Sequence, residues 1–306
     1  MPRTTNPALY EEAAEADATG PATLRAFALS HGISEATARA YAGRHRRGLR
    51  PGMGRAGTGT RRPRTLRFGV EIETRRSGIS ARAIADALSR AGLPVCEHQE
   101  PGHSYGHSCA RWAVCYDASC GWEIKTPPLP ANEEGYRALR TGMAALRSAG
   151  CQVDAHCGMH VHMEVRGMER AAVAAFADSY ITRQTTMDRL VARSRRGHHY
   201  CHHWDDFRWE DTKRRFLDGQ SIMRTTATVN LGPYGRYGTV EFRQHQGTLS
   251  GRKAVAWVKM LAGLRQRATD GTTDGLGDGL GFLADLLDNR TAAYLIGRAD
   301  TLAGAR

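Results

Sequence analysis

The sequence has no run of about 18 consecutive apolar residues and no charged-then-apolar N-terminus, so neither a membrane-spanning helix nor a secretory signal is expected. The cytoplasm is then the default compartment, and no membrane partner is expected. Its seven cysteines (96, 109, 115, 120, 151, 157 and 201) lack a short regular spacing, which argues against a disulfide framework and for mostly reduced thiols. No segment recurs at a fixed period, which argues against a solenoid. Gly57-Thr58-Gly59-Thr60 lacks the Gly-Lys-Ser/Thr ending of a phosphate-binding loop. Acid is missing altogether between Ala36 and Val70.

What is there is a chain of 306 residues, 41% apolar, with a net charge of +12. That length can bury a full-sized core and leaves room for a second, smaller unit. The charge is uneven: residues 1–65 hold eleven arginines against five acids, a local excess of +6. Leu24, Phe27 and Ala28 share one helical face that ends at His31-Gly32, and Ser34 can cap a second helix through Tyr41. A helix, a glycine turn and an Arg-bearing helix have the form of a helix-turn-helix. Read so, Glu35, Thr37, Arg39 and Arg44 would enter a major groove, with Arg46, Arg47 and Arg50 on phosphates, and DNA would be a partner through residues 21–50. A small helical hairpin with a basic tail fits the same residues.

Beyond that block, four stretches repeat one pattern. Along a strand successive side chains alternate faces. Leu66, Phe68, Val70 and Ile72 therefore point one way, and Gly69, Glu71 and Glu73 the other. Trp122 and Ile124 oppose Glu123 and Lys125, and Met159, Val161 and Met163 oppose His160, His162 and Glu164. In the last, Val240 and Phe242 oppose Thr239, Glu241, Arg243 and His245. Amphipathic helices are expected over Ile79–Ala91, Asn132–Ala149, Ala171–Leu190 and Gly251–Leu264, with helical segments from Leu283 to Leu302, which together make an α+β or α/β body. If the polar faces share one surface, its carboxylates need cations, because carboxylates pressed together otherwise hold protons. Oxygen ligands with an imidazole suit Mg²⁺ or Mn²⁺ better than zinc. Such ions beside an arginine are equipment for phosphoryl transfer. The basic loop Arg193–His203 has two readings, a zinc site or a segment that handles phosphates, and arginine forks favour the second. The insert Cys96–Cys120, with His98, His103 and His107, is a further candidate for zinc.

Taken in order, Phe68-Gly69-Val70-Glu71-Ile72-Glu73, Asp117-Ala118-Ser119, Trp122–Leu129, Gly158-Met159-His160-Val161-His162, Asn230-Leu231 and Thr239–Thr248 resemble the motif set of the amidoligase family. That family belongs to the carboxylate–amine ligase superfamily, with glutamine synthetase and glutamate–cysteine ligase. The resemblance implies a curved antiparallel sheet of glutamine synthetase-like type with helices on one face. It implies ATP, two or more Mg²⁺ or Mn²⁺ ions, and a carboxylate phosphorylated and then captured by an amine to give an amide. The carboxylate and amine substrates would be small molecules, peptides or proteins. By position, Glu71, Glu73, Glu123, His160 and Glu241 would be metal ligands, with Glu241 and Arg243 catalytic. His162, Asn230, Arg193, Arg195, Arg196 and Arg243 would bind the nucleotide.

The expected organisation is a helical module over 1–50, a basic linker over 51–65, a catalytic domain over 66–268 and packing elements over 269–306. Two other functions are open: a metal-dependent hydrolase or amidase built on the same Glu/His cluster, and a DNA-binding protein, through its N-terminal module, whose large domain senses a ligand.

Overall fold

The computed structural model describes residues 7–30, 38, 42, 65–75, 78–96 and 110–304. The chain divides into two compact units, Met1–Arg64 and Thr65–Arg306. In the first, α1 (Pro7–Thr19) and α2 (Pro21–Ser30) pack through Ala13, Ala16, Leu24, Phe27 and Ala28. Ala38 and Ala42 are helical and buried in the same cluster. The remainder of the proposed second helix, its arginine tail and the 51–64 linker lie outside the described residues, as does 97–109 of the Cys/His insert. Of the described cysteines, 115, 120, 151, 157 and 201 are free thiols, and Cys96 is disulfide-bonded.

The second unit is a mixed helix–sheet structure whose seven strands are β1 (Arg67–Arg75), β2 (Ala113–Asp117), β3 (Gly121–Lys125), β4 (Leu129–Pro130), β5 (Gly158–Glu164), β6 (Val229–Asn230) and β7 (Thr239–Gln246). They form one open sheet in the order β2-β3-β1-β5-β7-β6, with β4 pairing on β1, and every pairing is antiparallel. The alternating apolar rows account for this. Phe68, Val70, Ile72, Ile124, Met159, Val161, Met163, Val240 and Phe242 all fall in one buried cluster.

Onto that cluster pack α3 (Ala81–Arg90), α4 (Glu133–Ser148), α5 (Arg170–Ile181) and α9 (Gly251–Asp270). Ser80 caps α3, Asn132 caps α4 and Ser250 caps α9, each through its side-chain oxygen. Between α5 and α9 lie α6 (Gln184–Asp188), α7 (Asp206–Leu217) and α8 (Tyr234–Tyr237); α10 (Phe282–Leu286) and α11 (Asn289–Gly304) close the chain. The helix expected over 171–190 is thus two pieces broken at Thr182-Arg183, and α9 runs six residues past Leu264. Among the described residues no helix is long and apolar enough to cross a membrane.

One strand departs from simple alternation. Val161 lies opposite Phe242 while Met159 lies opposite His245, so β7 holds one residue more than β5 across this interval. This is a β-bulge. It corrects the expectation for His245, which turns away from the polar face, is buried, and meets the Trp257 ring at 5.0 Å. Its Nδ1 donates to the Gln246 carbonyl, 2.6 Å away. Burial, with nearby Arg298, Lys253 and Arg195 adding to it, pushes the imidazole pKa down to about 3.

Two consequences can be measured. A Cβ on Gly142 would sit 2.2 Å from the Trp112 ring, so Gly142→Ala should cost about 1–3 kcal/mol in urea unfolding. An imidazole whose folded pKa lies below its unfolded value of about 6.5 contributes its full stability above that pH and loses it as pH falls toward 3. Stability should therefore drop by up to about 1.4 kcal/mol per pH unit from this group, and His245→Asn should remove that share of the slope.

Candidate active site

The polar face of the sheet brings together what the sequence spaces far apart. Register places Glu71 opposite Lys125 on one side and His160 on the other, and Glu73 directly opposite Glu123. His162 lies opposite Gly69 and Glu241, and Glu241 opposite Asn230. Like charges facing each other across two strands destabilise a sheet, so the Glu73–Glu123 pair requires positive charge nearby.

His160 is the hub. Its Nδ1 lies 3.4 Å from Glu71 Oε2 and 3.7 Å from Glu241 Oε1, and its Nε2 lies 3.5 Å from Glu73 Oε1. These contacts are longer than good hydrogen bonds. Two groups of potential ligands meet here, Glu71–His160–Glu241 and Glu73–Glu123–His160, each with donor atoms within 4.8 Å of one another. Carboxylate oxygens with one imidazole, buried and clustered at these separations, fit a hard divalent cation such as Mg²⁺ or Mn²⁺. Among the described residues no comparable group includes His198, His199, His202 or His203.

Neutralising groups stand around the hub. Lys125 Nζ reaches Glu123 at 2.7 Å and Glu71 at 3.3 Å, and Arg243 Nη1 donates to Glu241. Burial would raise the Glu71 carboxyl, but hydrogen bonds from His160 and His162, with the charges of His162 and Lys125, hold it well below the usual range. Glu241 shows the same balance, burial being outweighed by His162, Arg243 and His160. Glu123 goes the other way: burial and the Glu71 charge push it up to about 8 despite Lys125. Burial disfavours charged His162, yet its hydrogen bond and attraction to Glu71, with Glu241, raise it.

The cluster opens into a cavity of about 780 Å³ whose inner wall includes Glu73, Glu123, His160, Arg195 and Arg243. That volume suits a drug- or nucleotide-sized ligand. Gly158 makes the close approach feasible, because a Cβ there would stand 3.0 Å from both Arg195 Nη2 and His160 Nε2. Its backbone N–H donates to Glu73 Oε2. Arg195, 2% exposed, donates from Nη2 to the Arg243 carbonyl at 2.6 Å, and its buried Nε has no hydrogen-bond partner.

The expected residues do not all reach the same place. Glu71 and Glu241 meet the cavity through His160 and are not among its lining residues. His162 stands behind them, with Nε2 3.6 Å from Glu71 Oε1 and Nδ1 3.2 Å from the Thr239 hydroxyl. Fully buried Asn230 supports Glu241: its Nδ2 donates to Glu241 Oε2 at 2.6 Å, while its Oδ1 accepts from the Thr225 and Gly232 amides. Of the three arginines in the basic segment, only Arg195 lines the cavity. Arg193 and Arg196 are exposed, and Arg196 folds back onto the Val191 carbonyl. Sequence reasoning gave no role to His156, Arg224, Thr225 and Thr226, which also line the cavity. They sit outside the strands, where no periodicity marks them; the run Arg224-Thr225-Thr226 ahead of Val229-Asn230 was the available signal.

Carboxylates, an imidazole and two buried guanidiniums thus meet on one face of an open antiparallel sheet. The chain belongs to the amidoligase family: the family model described as "Putative amidoligase enzyme" matches residues 64–264. No curated protein matches the chain by sequence. Among solved structures it is similar to the complex between the prokaryotic ubiquitin-like protein Pup and its ligase PafA, at 12% identity and a TM-score of 0.33. The similarity covers 79% of this chain and 52% of that one, so the chain spans about half its length.

Asn230→Ala would strip a partner from Glu241 and from two backbone amides at once. A loss of about 1–3 kcal/mol is expected in denaturant unfolding, the cost of buried polar groups left unpaired.

Proposed function

We propose that this protein is an ATP-dependent ligase that joins a carboxylate to an amine, as an amide or isopeptide, through an acyl-phosphate intermediate. The observation that carries the reading is the convergence of Glu71, Glu73, Glu123 and Glu241 on His160, with Arg195 and Arg243 at the same cavity. Glu71, Glu73, Glu123, His160 and Glu241 would hold Mg²⁺ or Mn²⁺. Bound there, the ions would neutralise polyphosphate oxygens and polarise the transferred phosphoryl group.

The residues of the chain do the rest. Arg243, fixed by Glu241, and Arg195, fixed by the Arg243 carbonyl, bind the phosphoryl oxygens as charge shifts to the leaving ADP. The substrate carboxylate oxygen takes the phosphoryl group. The amine nitrogen then attacks the acyl carbon, phosphate leaves, and the nitrogen gives up a proton. Asn230 and His162 act one layer back by orienting Glu241 and Glu71. The catalytic domain is assigned to 66–268, with 269–306 packed on it. The acid and the amine, whether free metabolites or groups on a protein, are read from the product.

The test is amine-dependent ADP release with Mg²⁺, with calorimetry of nucleotide binding and mass analysis of the amide. Glu71→Ala and Arg243→Ala should each lower the rate at least 100-fold while both proteins stay folded by circular dichroism. Full turnover in both variants defeats the proposal. So does a hydrolytic activity that is indifferent to nucleotide and lost on zinc chelation.

A further inference from the structure

A second cavity, of about 470 Å³, lies in the helical layer between α4, α9 and the start of α11, and shares no lining residue with the catalytic one. Its walls carry four cations: Arg140 from α4, Arg252 and Lys259 from α9, and Arg290 from α11. Asp288 is the one acid among the lining residues. Arg252 and Lys259 are seven positions apart on α9, two turns, and so project from the same side. Val255 and Ala256 between them are buried and give the cavity an apolar floor.

The local charges do not balance. Arg140 pairs with Glu133, and Lys259 with Asp288 at 3.3 Å. Asp288 is already engaged at the α11 N-terminus, accepting from the Thr291 amide and hydroxyl. Arg252 lies 3.9 Å over the Tyr294 ring, which fixes its guanidinium without neutralising it. Among the described residues neither Arg252 nor Arg290 has a carboxylate within ion-pair distance. A hollow that gathers cations from three helices, and leaves Arg252 and Arg290 without a carboxylate partner, is stabilised by an anion that bridges them.

We propose that this cleft binds a compact phosphate-bearing anion of at least two negative charges, at a site separate from the catalytic cavity. Guanidinium forks match phosphate oxygens in pairs, and the convergent placement suits a small ligand more than an extended acidic peptide. An organic phosphate and an inorganic one present the same chemistry here.

The probe is pyrophosphate, titrated calorimetrically in EDTA so that divalent ions do not assist the catalytic cavity. Wild type and Arg243→Ala should bind it alike, and Arg252→Ala/Arg290→Ala should bind at least ten-fold more weakly. Since Arg252 leans on Tyr294, melting is recorded in parallel. Arg290→Ala alone, at an exposed side chain, should still weaken binding several-fold. A parallel titration with ADP separates the sources: tighter binding than pyrophosphate, equally lost in the double variant, assigns the cleft to an organic phosphate, and weaker binding to an inorganic one. Equal pyrophosphate affinity in wild type and both cleft variants overturns the proposal. Loss confined to Arg243→Ala, or a glutamate-rich peptide binding more tightly than pyrophosphate, overturns it as well.

Discussion

Several carboxylates are held against a single imidazole, and the second unit is arranged around making that tolerable. Glu71, Glu73 and Glu241 each have an oxygen within 3.7 Å of the His160 ring, and Glu123 faces Glu73 across the β1–β3 ladder. In water such groups would separate. Here they are fixed to adjacent strands whose other faces are locked into the core, so they cannot. Lys125 and Arg243 supply two positive charges beside the four carboxyl groups, of which burial pushes Glu123 up to about 8.

Small backbone features set the fine geometry. A side chain at Gly158 would press on Arg195 and His160, which would have to give way slightly. The bulge in β7 is a second such feature: with one extra residue it leaves Arg243 on the cavity side and turns His245 inward against Trp257. Gln244, beside it, bonds to the Tyr180 hydroxyl and to Asp188. Asp188 also takes the His203 ring at 3.0 Å, which anchors the end of the basic loop to the strand that carries Arg243.

The alternating rows made the strands and their polar faces legible, because a strand's period is two whatever it pairs with. Glu71, Glu73, Glu123, His160, Glu241 and Arg243 could be collected on that ground alone. The His245 error arose because a bulge depends on the partner strand, and one sequence carries no register. The arginines of the basic segment look alike in sequence. Only the fold around Arg195 buries it, and its neighbours stay at the surface. Asn230 and His162 contact Glu241 and Glu71 and do not line the cavity, a distinction of depth that spacing does not encode. Arg224–Thr226, in an irregular segment, reach the cavity by tertiary placement alone.

The antiparallel order also bears on how the protein is made. Glu241 follows Glu71 by 170 positions, and β7 lies between β5 and β6 in the sheet. While the chain emerges from the ribosome, the earlier strands can assemble their apolar side, but the polar side lacks Arg243 and its backbone support for Arg195 until β7 joins. A nascent chain arrested before that strand therefore holds its acids without their late-arriving guanidinium.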